Sequence, residues 1–270
     1  MYKKVLESTD YIMSRANVEA DIAIILGSGL GGLVNDISID CEIPFSDIPN
    51  FPASTVKGHS GKLIYGQLEG KKVLVLAGRF HYYEGYTMRE VSYPIYVFKQ
   101  LEISKMIVTN ACGGINKSYK PGDIMIIDDF INLMGSNPLV GKNDERLGNR
   151  FPDMTEPFSN KLINLTEEVA KKLEYNLKKG VYAGFMGPYY ETRAEIKMIA
   201  GFGADVVGMS TVPEVIAANH TGIETLGLSC VTNMATGIQK KKHSHDDVIK
   251  IANETSVRLV KLVKEVIRKI

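Results

Sequence analysis

Two basic side chains in the segment GRFHYYEGY have the types and spacing of an anion site. Arg79 and His81 follow an apolar run and are two positions apart, so on extended backbone they project from the same face. A guanidinium offers a bidentate fork to an oxyanion, and an imidazole adds another donor. A single Arg or His is more often a surface charge or a core histidine. The pair, followed by Tyr83 and Glu84, favours an anion site.

A glycine-rich turn supplies a second set of donors. GSGLGG, residues 27–32, follows the apolar run DIAIIL and satisfies the G-x-G-x-x-G pattern of dinucleotide-binding folds. After Gly32 the chain reaches Asp36 and then alternates like a strand, which leaves no room for a crossover helix. The glycines still let backbone N–H groups turn toward one anion, and Ser28 adds a hydroxyl. We therefore favour a phosphate cradle, with a dinucleotide-binding module as the rival.

Two further turns could complete such a cradle. The glycine pair of VTNACGGIN is predicted to bend the chain after a strand and to expose the backbone N–H of Ala111. Met209 and Ser210 follow another apolar run in VVGMSTVPEVI. A hydroxyl residue there is equally suited to cap the next helix, so a purely structural role for Ser210 competes with anion binding.

Two other turns carry groups that could read a purine. Glu191 follows Tyr189 and Tyr190 just before a predicted helix, where a carboxylate can simply favour the first helical turn. An aromatic face beside a carboxylate also suits a purine, which needs stacking and an acceptor for its ring N–H groups. Asn233, in VTNMATGI, carries an amide that donates and accepts at once.

The remaining polar and sulfur residues suggest no metal or disulfide. His243 and His245 form a His-x-His pair without a third ligand at suitable spacing, and His245 could equally cap the last helix. The three cysteines are odd in number, lack metal-ligand spacing and are predicted to be reduced core thiols. They are Cys41, Cys112 and Cys230.

These turns need a scaffold that brings them together. Short apolar runs predict strands over residues 21–26, 72–77, 106–109, 123–128, 181–185, 206–209 and 225–231. Helical patterns span residues 87–101, 159–173, 192–202, 213–221 and 246–270. This alternation predicts an α/β fold with a mainly parallel sheet, whose ligands bind at the carboxyl ends of the strands. The irregular stretch over residues 133–158 is long enough to be functional.

Composition limits the class of partner. A chain of 270 residues, 44% hydrophobic, can form one domain over residues 1–270 with a full core. Its 32 basic and 31 acidic residues nearly balance, which argues against a nucleic-acid or membrane-surface partner. No apolar run reaches the roughly 20 residues that a membrane span needs. We expect a soluble, cytoplasmic protein that binds a small ligand.

Taken together, the strings GSGLGGL, GRFHYYEGY, VTNACGGIN, GPYYET and GMSTVPEV resemble, in this order, the trimeric purine nucleoside phosphorylases. The similarity runs over essentially the whole chain. It implies one α/β domain with a mixed, partly barrel-like central sheet flanked by helices, assembled as a homotrimer. It also implies phosphorolysis of 6-oxopurine nucleosides such as inosine and guanosine in purine salvage. Inorganic phosphate would be a co-substrate, with no metal or organic cofactor.

The resemblance also implies a role for each site residue. The phosphate ligands would be Ser28, His59, Arg79, His81, Ala111 through its N–H, and Ser210. The ribose contacts would be Tyr83, Tyr190, Met209, His245 and, from a neighbouring subunit, Phe151. The base would be held by Glu191, Asn233 and Tyr190, and the catalytic residues would be Asn233, Glu191 and His81.

The chain departs from the family pattern at two positions. Tyr190 stands where many members have Phe, which stacking should tolerate, and Met234 stands where vertebrate members typically have Lys. A methylthioadenosine phosphorylase is the nearest rival, but that group tends to have aspartate where this chain has Asn233 and to lack the Glu191 carboxylate. A hydrolytic nucleosidase, which would need no phosphate, is a third alternative.

Overall fold

The computed structural model describes residues 1–28, 31–53, 60–239, 242 and 244–270. Its α-helices are α1 (Tyr2–Arg15), α2 (Met88–Val91), α3 (Tyr93–Gln100), α4 (Asn160–Lys172), α5 (Arg193–Gly201), α6 (Val212–Thr221) and α7 (His245–Lys269). Its strands are β1 (Ile22–Ile25), β2 (Ser38–Pro44), β3 (Lys62–Leu68), β4 (Lys71–Ala77), β5 (Lys105–Gly114), β6 (Ile124–Leu133), β7 (Lys178–Phe185), β8 (Val206–Gly208) and β9 (Glu224–Met234).

All nine strands belong to one mixed sheet. Their order is β2-β3-β4-β1-β5-β8-β7-β6-β9, and β5 also pairs with β9, so strands β5 to β9 close into a ring. Five pairings are parallel and four are antiparallel. Parallel pairings are thus a narrow majority, and the sheet is more mixed than the strand and helix alternation alone led us to expect. The mixed, partly barrel-like sheet implied by the family resemblance is confirmed.

The middle of the sheet is buried because its strands are apolar on both faces. All four residues of β1 are buried between β4 and β5, and the apolar runs of those two strands are buried as well. Parallel strands covered on both faces read as continuous apolar runs, which is why the sequence located these three. The open-edge strand β2 is mostly exposed and carries Cys41, which is only half-buried, so the expectation of a core thiol fails there.

Burial explains the elements that the sequence did not predict. Helix α1 has charges in every turn, yet Val5, Ser8, Thr9 and Ile12 form one buried stripe at helical spacing. Strand β2 is the strand-like alternation noted after Asp36, and β3, which pairs antiparallel with both β2 and β4, was not predicted although most of its residues are buried. No described helix is both long and apolar enough to cross a membrane.

Strand β5 is longer than predicted. The sequence suggested an end at Thr109 and a bend at the following glycines, but β5 continues through Gly114 and pairs with β8 and β9. A register shift at Cys112 and Gly113 takes up the irregularity within the strand. Between β1 and β2 the described residues contain only a short 3-10 helix over Gly31–Asp36, so the predicted absence of a crossover α-helix is confirmed.

Candidate active site

One cavity gathers most of the predicted site residues. It encloses about 790 Å³ including its open mouth and lies where β1, β4, β7, β8 and β9 end, beside the second half of β5. Ligand sites at the carboxyl ends of strands are typical of α/β sheets. Ten of the predicted residues line it: Ser28, Arg79, His81, Tyr83, Ala111, Tyr190, Glu191, Met209, Ser210 and Asn233.

Three predicted residues are not placed in this cavity. Phe151 is 87% exposed, borders a separate surface groove and has the guanidinium of Arg150 5.5 Å from its ring centroid. His59 and the side chain of His245 lie outside what the structure describes. The backbone of His245 begins α7, with Ser244 as its N-cap residue.

The Arg79 guanidinium donates hydrogen bonds to a backbone carbonyl and to a side-chain hydroxyl. Its side chain is 3% exposed, and Nη2 donates to the carbonyl oxygen of Thr109 at 2.6 Å. Nη1 donates to Oγ1 of Thr211 at 3.3 Å. Gly27 allows this close packing of β1 against β5, because a Cβ atom there would lie 2.7 Å from the same Thr109 oxygen. Arg79 is therefore a fixed cation at one end of the cavity.

A buried carboxylate that the sequence did not single out stands beside that cation. Oε1 of Glu214 lies 3.5 Å from Nη1 of Arg79, with both side chains 3% exposed. Neither oxygen of Glu214 has a hydrogen-bond partner among the described residues. A buried ion needs a compensating charge, so the two side chains depend on each other. The sequence signal for Glu214 was a Pro-Glu pair at the start of a helix. Such a pair is ordinary at helix starts, so it does not indicate a functional residue.

His81 is fixed by a second carboxylate. Its Nδ1 lies 2.9 Å from Oε1 of Glu84, and the backbone N–H of His81 donates to the same oxygen at 2.8 Å. The imidazole stacks on Tyr83, with ring centroids 4.7 Å apart. Burial raises the pKa of Tyr83 to about 12, so its hydroxyl stays neutral and can donate to or accept from a sugar hydroxyl.

The cavity wall also carries a carboxylate and an amide. Glu191 is buried, and this burial raises its pKa, with the charge of Glu195 adding to the effect. It lies before the N-cap residue of α5, Thr192, whose capping box is completed by Glu195. The helix is thus capped without Glu191, and the purely structural interpretation of that carboxylate loses its main support.

Asn233 is oriented by its neighbours on β9. Thr232 Oγ1 donates to Oδ1 of Asn233 at 3.0 Å, and Nδ2 of Asn233 donates to the carbonyl oxygen of Met234 at 3.3 Å. A Cβ atom on Gly113 would lie 3.3 Å from Nδ2, so that glycine lets the amide pack against β5. Tyr190, 39% exposed, stands at the mouth. The arrangement suits a flat ligand with both donors and acceptors on its edge.

Metal ligands do not cluster in the part of the chain that the structure describes: it contains no group of three or more His, Cys, Asp or Glu side chains that could hold an ion. The two inner cysteines, Cys112 and Cys230, are buried and unbridged, as predicted. Burial raises the pKa of both thiols, that of Cys230 to about 11.

Comparison with known proteins assigns the family. The profile of the phosphorylase superfamily matches residues 21–268. "Purine nucleoside phosphorylase 1" of Geobacillus stearothermophilus is 50% identical over 97% of this chain and 96% of that protein. The bovine (Bos taurus) "Purine nucleoside phosphorylase" is 39% identical over 97% of this chain and 93% of that protein. This chain belongs to the purine nucleoside phosphorylase family.

Solved structures of the family have the same fold. Schistosoma mansoni purine nucleoside phosphorylase in complex with inosine superimposes with a TM-score of 0.94, at 38% identity, over 99% of this chain and 96% of that chain. Isoform 2 from the same organism, in complex with cytosine and ribose-1-phosphate, superimposes with a TM-score of 0.95 at 39% identity, covering 100% of this chain and 97% of that chain. The nine-stranded sheet with its closed ring is thus a purine nucleoside phosphorylase fold.

Proposed function

We propose that the protein cleaves the N-glycosidic bond of 6-oxopurine nucleosides with inorganic phosphate, giving the free base and ribose 1-phosphate or its deoxy form. The observation that carries this proposal is the composition of the cavity. A buried guanidinium and an imidazole line it together with a buried carboxylate and a side-chain amide. An anion and a purine can therefore be held in one continuous space.

The proposed reaction joins phosphate to the sugar as the base leaves. The glycosidic C–N bond breaks through an oxocarbenium-like state while a phosphate oxygen forms the new bond to the anomeric carbon. Phosphate held by Arg79, His81, Ser28, Ser210 and the N–H of Ala111 is both the nucleophile and the counter-ion of the sugar. The electron pair of the broken bond goes to the purine, which takes up a proton at N7 from solvent, while hydrogen phosphate loses its proton to solvent as its oxygen bonds to the sugar.

At the base end, Asn233 and Glu191 divide the recognition of the purine. The Asn233 amide hydrogen-bonds N7 and O6, which stabilises the leaving base as its charge develops. The Glu191 carboxylate accepts from N1–H and from any 2-amino group. Both contacts fit a 6-oxopurine better than adenine, because adenine has no N1–H and carries an amino group in place of O6.

The test is a panel of initial rates with and without phosphate. Inosine, guanosine, adenosine and methylthioadenosine are each incubated with the purified protein, and base release is measured. We expect inosine and guanosine to be cleaved only when phosphate is present. Cleavage that persists after phosphate is removed would identify a nucleosidase, and faster turnover of methylthioadenosine than of inosine would identify the rival phosphorylase. Prior dialysis against a chelator tests our expectation that no metal is needed.

We also propose that the active unit is a homotrimer in which Phe151 closes the ribose pocket of a neighbouring subunit. Phe151 is almost fully exposed and borders a groove with Val140, which is 60% exposed. An exposed apolar patch of this kind is typical of an interaction surface. The separation of Phe151 from its own cavity also supports donation to another chain.

Subunit mixing tests this arrangement. Subunits with Phe151→Ala are mixed with subunits that carry Glu191→Ala, and the mixed oligomers are purified by two affinity tags. Each site would take Phe151 from one chain and Glu191 from another, so some sites in the mixture are intact. We expect activity to return in the mixed oligomers above that of either variant. No recovery in verified mixed oligomers, or full activity in a verified monomer, would contradict the proposal.

A further inference from the structure

The buried hydroxyl of Thr211 contacts two of the proposed phosphate ligands. It was given no role in the site by the sequence analysis or by the proposed reaction. Oγ1 of Thr211 lies 3.3 Å from Nη1 of Arg79 and 3.2 Å from Oγ of Ser210. It also lies 2.9 Å from Nδ2 of Asn110. Thr211 is 1% exposed and its three partners are also buried, so water does not compete for these contacts.

The direction of each hydrogen bond follows from the donors present. Oδ1 of Asn110 accepts from the Ser229 hydroxyl at 2.9 Å, so its Nδ2 donates to Thr211. The guanidinium of Arg79 can only donate. Two incoming hydrogens occupy both lone pairs of the Thr211 oxygen. Its own hydrogen is then donated to the remaining partner, Oγ of Ser210.

This order leaves the Ser210 hydrogen for another acceptor. The phenol oxygen of Tyr182 is near, since it accepts from the backbone N–H of Ser210 at 3.3 Å. A phosphate oxygen in the cavity is a stronger acceptor than a neutral phenol, because bonds to ionised groups are shorter and roughly twice as strong. Once phosphate is bound, the Ser210 hydroxyl therefore donates to it.

The backbone at Thr211 is held in an unusual conformation that places the two hydroxyls side by side. Its φ is 72° and its ψ is −49°, and the N–H of Val212 donates to the carbonyl oxygen of Ser210 at 2.7 Å, which closes a γ-turn. A β-branched residue rarely adopts a positive φ. Such strain persists where the surroundings enforce it, and it concentrates at functional sites.

We propose that Thr211 is a positioning residue for phosphate: its hydroxyl fixes Arg79 and, by donating to Ser210, directs the Ser210 hydrogen at the anion. The inference rests on the proposed phosphorolysis, because it assigns Thr211 to the phosphate end of that same site. Thr211 itself touches no substrate. Its removal should impair phosphate binding while leaving nucleoside binding unchanged.

Thr211→Val tests the role, since it keeps the branched shape and removes the hydroxyl. The matched control is Thr166→Val, which removes an equally buried hydroxyl that donates to the Leu162 carbonyl in α4, away from the cavity. We expect Thr211→Val to raise the KM for phosphate about tenfold, with the KM for inosine within about twofold of wild type. Thr211→Ser, which restores the hydroxyl, should return the phosphate KM to near wild type.

A double-variant cycle identifies the route of the effect. In a Ser210→Ala background one of the three partners of the Thr211 hydroxyl is absent, so Thr211→Val should raise the phosphate KM less than it does in wild type. An equal effect in both backgrounds would overturn the proposed link to Ser210. An unchanged or lower phosphate KM in Thr211→Val alone would overturn the positioning role altogether.

Binding measured without turnover separates this inference from the proposed function. The rise in Tm on adding inorganic phosphate is measured for each variant, and Thr211→Ala replaces Thr211→Val should the latter fail to fold. We expect a smaller rise for the Thr211 variant than for Thr166→Val. If wild type binds phosphate but cleaves no nucleoside, the proposed function fails while this readout still tests Thr211. Equal rises in the variant and its control would contradict the inference.

Discussion

The side chains proposed to bind phosphate, here called the phosphate end, and those proposed to bind the purine, here called the base end, are held differently. At the phosphate end, Arg79 and His81 are buried, and each is paired with a carboxylate of its own chain, Glu214 and Glu84 respectively. At the base end, Glu191 is buried and its pKa is raised by that burial, while Tyr190 and Asn233 are partly exposed. The phosphate end is held in place by the Arg79–Glu214 ion pair and the His81–Glu84 contact, and the base end keeps a carboxylate in an environment that disfavours its ionised form.

This difference separates the two tasks of the site. A nucleophile must be positioned closely against the reacting carbon, and preorganised groups do this without rearranging during the reaction. Base recognition instead depends on groups whose interactions are completed by the ligand. Substitutions at the phosphate end should therefore affect both stability and catalysis, and substitutions at the base end should affect mainly catalysis and selectivity.

The largest effect is expected for Arg79→Gln. It removes the buried cation that we propose binds phosphate and leaves Glu214 buried without its 3.5 Å partner. We expect kcat/KM for phosphate to fall by at least about 100-fold, the equivalent of two charge-assisted hydrogen bonds. We also expect the free energy of unfolding to fall by about 3–5 kcal/mol, the usual cost of breaking a buried ion pair. Steady-state kinetics and urea unfolding measure the two effects.

The double variant Arg79→Gln/Glu214→Gln is the control for stability. Removing both charges should restore most of the lost free energy of unfolding, because no uncompensated ion remains, while phosphate-dependent activity stays low. If activity returned together with stability, Arg79 would be a structural residue only, and the contrast between the two ends would be lost.

Glu191→Ala should give the next largest effect, confined to the nucleoside. The loss of a charge-assisted hydrogen bond to the base predicts a fall of about 10- to 100-fold in kcat/KM for inosine, with the KM for phosphate within about twofold of wild type. Glu195→Ala is the matched control, because it removes the carboxylate that caps α5. That variant should lose stability and keep its selectivity. Inosine cleavage within about threefold of wild type in a folded Glu191→Ala protein would show that Glu191 does not bind the base.

A shift in selectivity is expected for Asn233→Asp. A carboxylate accepts from an amino group and repels a carbonyl oxygen. The ratio of kcat/KM for adenosine to kcat/KM for inosine should therefore rise about tenfold. Thr232 can donate to the new carboxylate as it does to Oδ1 of the native amide, which should keep the side chain in place. An unchanged ratio in a folded variant would remove the support for a contact between Asn233 and O6.

The smallest effect is a change of stability with pH in Glu191→Gln. The raised pKa of Glu191 means that its ionisation opposes folding. The contribution of neutral Glu191 to stability is therefore fully present below its ordinary pKa of 4.5 and is lost as the pH rises through the folded-state pKa. Gln cannot ionise, and the variant should therefore be slightly more stable than wild type at pH 7, with the difference vanishing below pH 4.5. Urea unfolding at pH 7 and pH 4 measures it. If Glu191→Gln were instead less stable than wild type at pH 7, the Glu191 carboxylate would have to be stabilised by a nearby positive charge, as Glu214 is.

The turns of the site could be predicted from the sequence, whereas most of the contacts between them could not. Arg79, Ser210 and Glu191 were found because each follows an apolar run, and strand ends converge in an α/β fold. Glu214 and Thr211 were missed because their importance depends on long-range contacts: Thr211 meets Asn110 across 101 positions of the chain. A hydroxyl before a helix looks like a cap, but the Thr211 side chain makes no cap hydrogen bond, and only the fold reveals its contacts.

The fold, like the site, was only partly predictable from local sequence patterns. Buried strands such as β1 and β4 were evident as continuous apolar runs, whereas the mostly exposed β2 was evident only as an alternation after Asp36. The closing of the ring by β5 and β9 depends on pairings between distant segments, such as Ala111 with Cys230, which no local pattern encodes. The family resemblance, carried by the five motifs, supplied that part.

The most direct test of the central claim is to identify the sugar product of inosine cleavage. The reaction is followed by ³¹P NMR in phosphate buffer while hypoxanthine release is measured by absorbance. We predict that one ribose 1-phosphate appears for each hypoxanthine, at equal rates, and that both fall together in Arg79→Gln. Free ribose in place of ribose 1-phosphate would contradict the account, because it would mean that water, and not phosphate held by Arg79 and its partners, is the nucleophile.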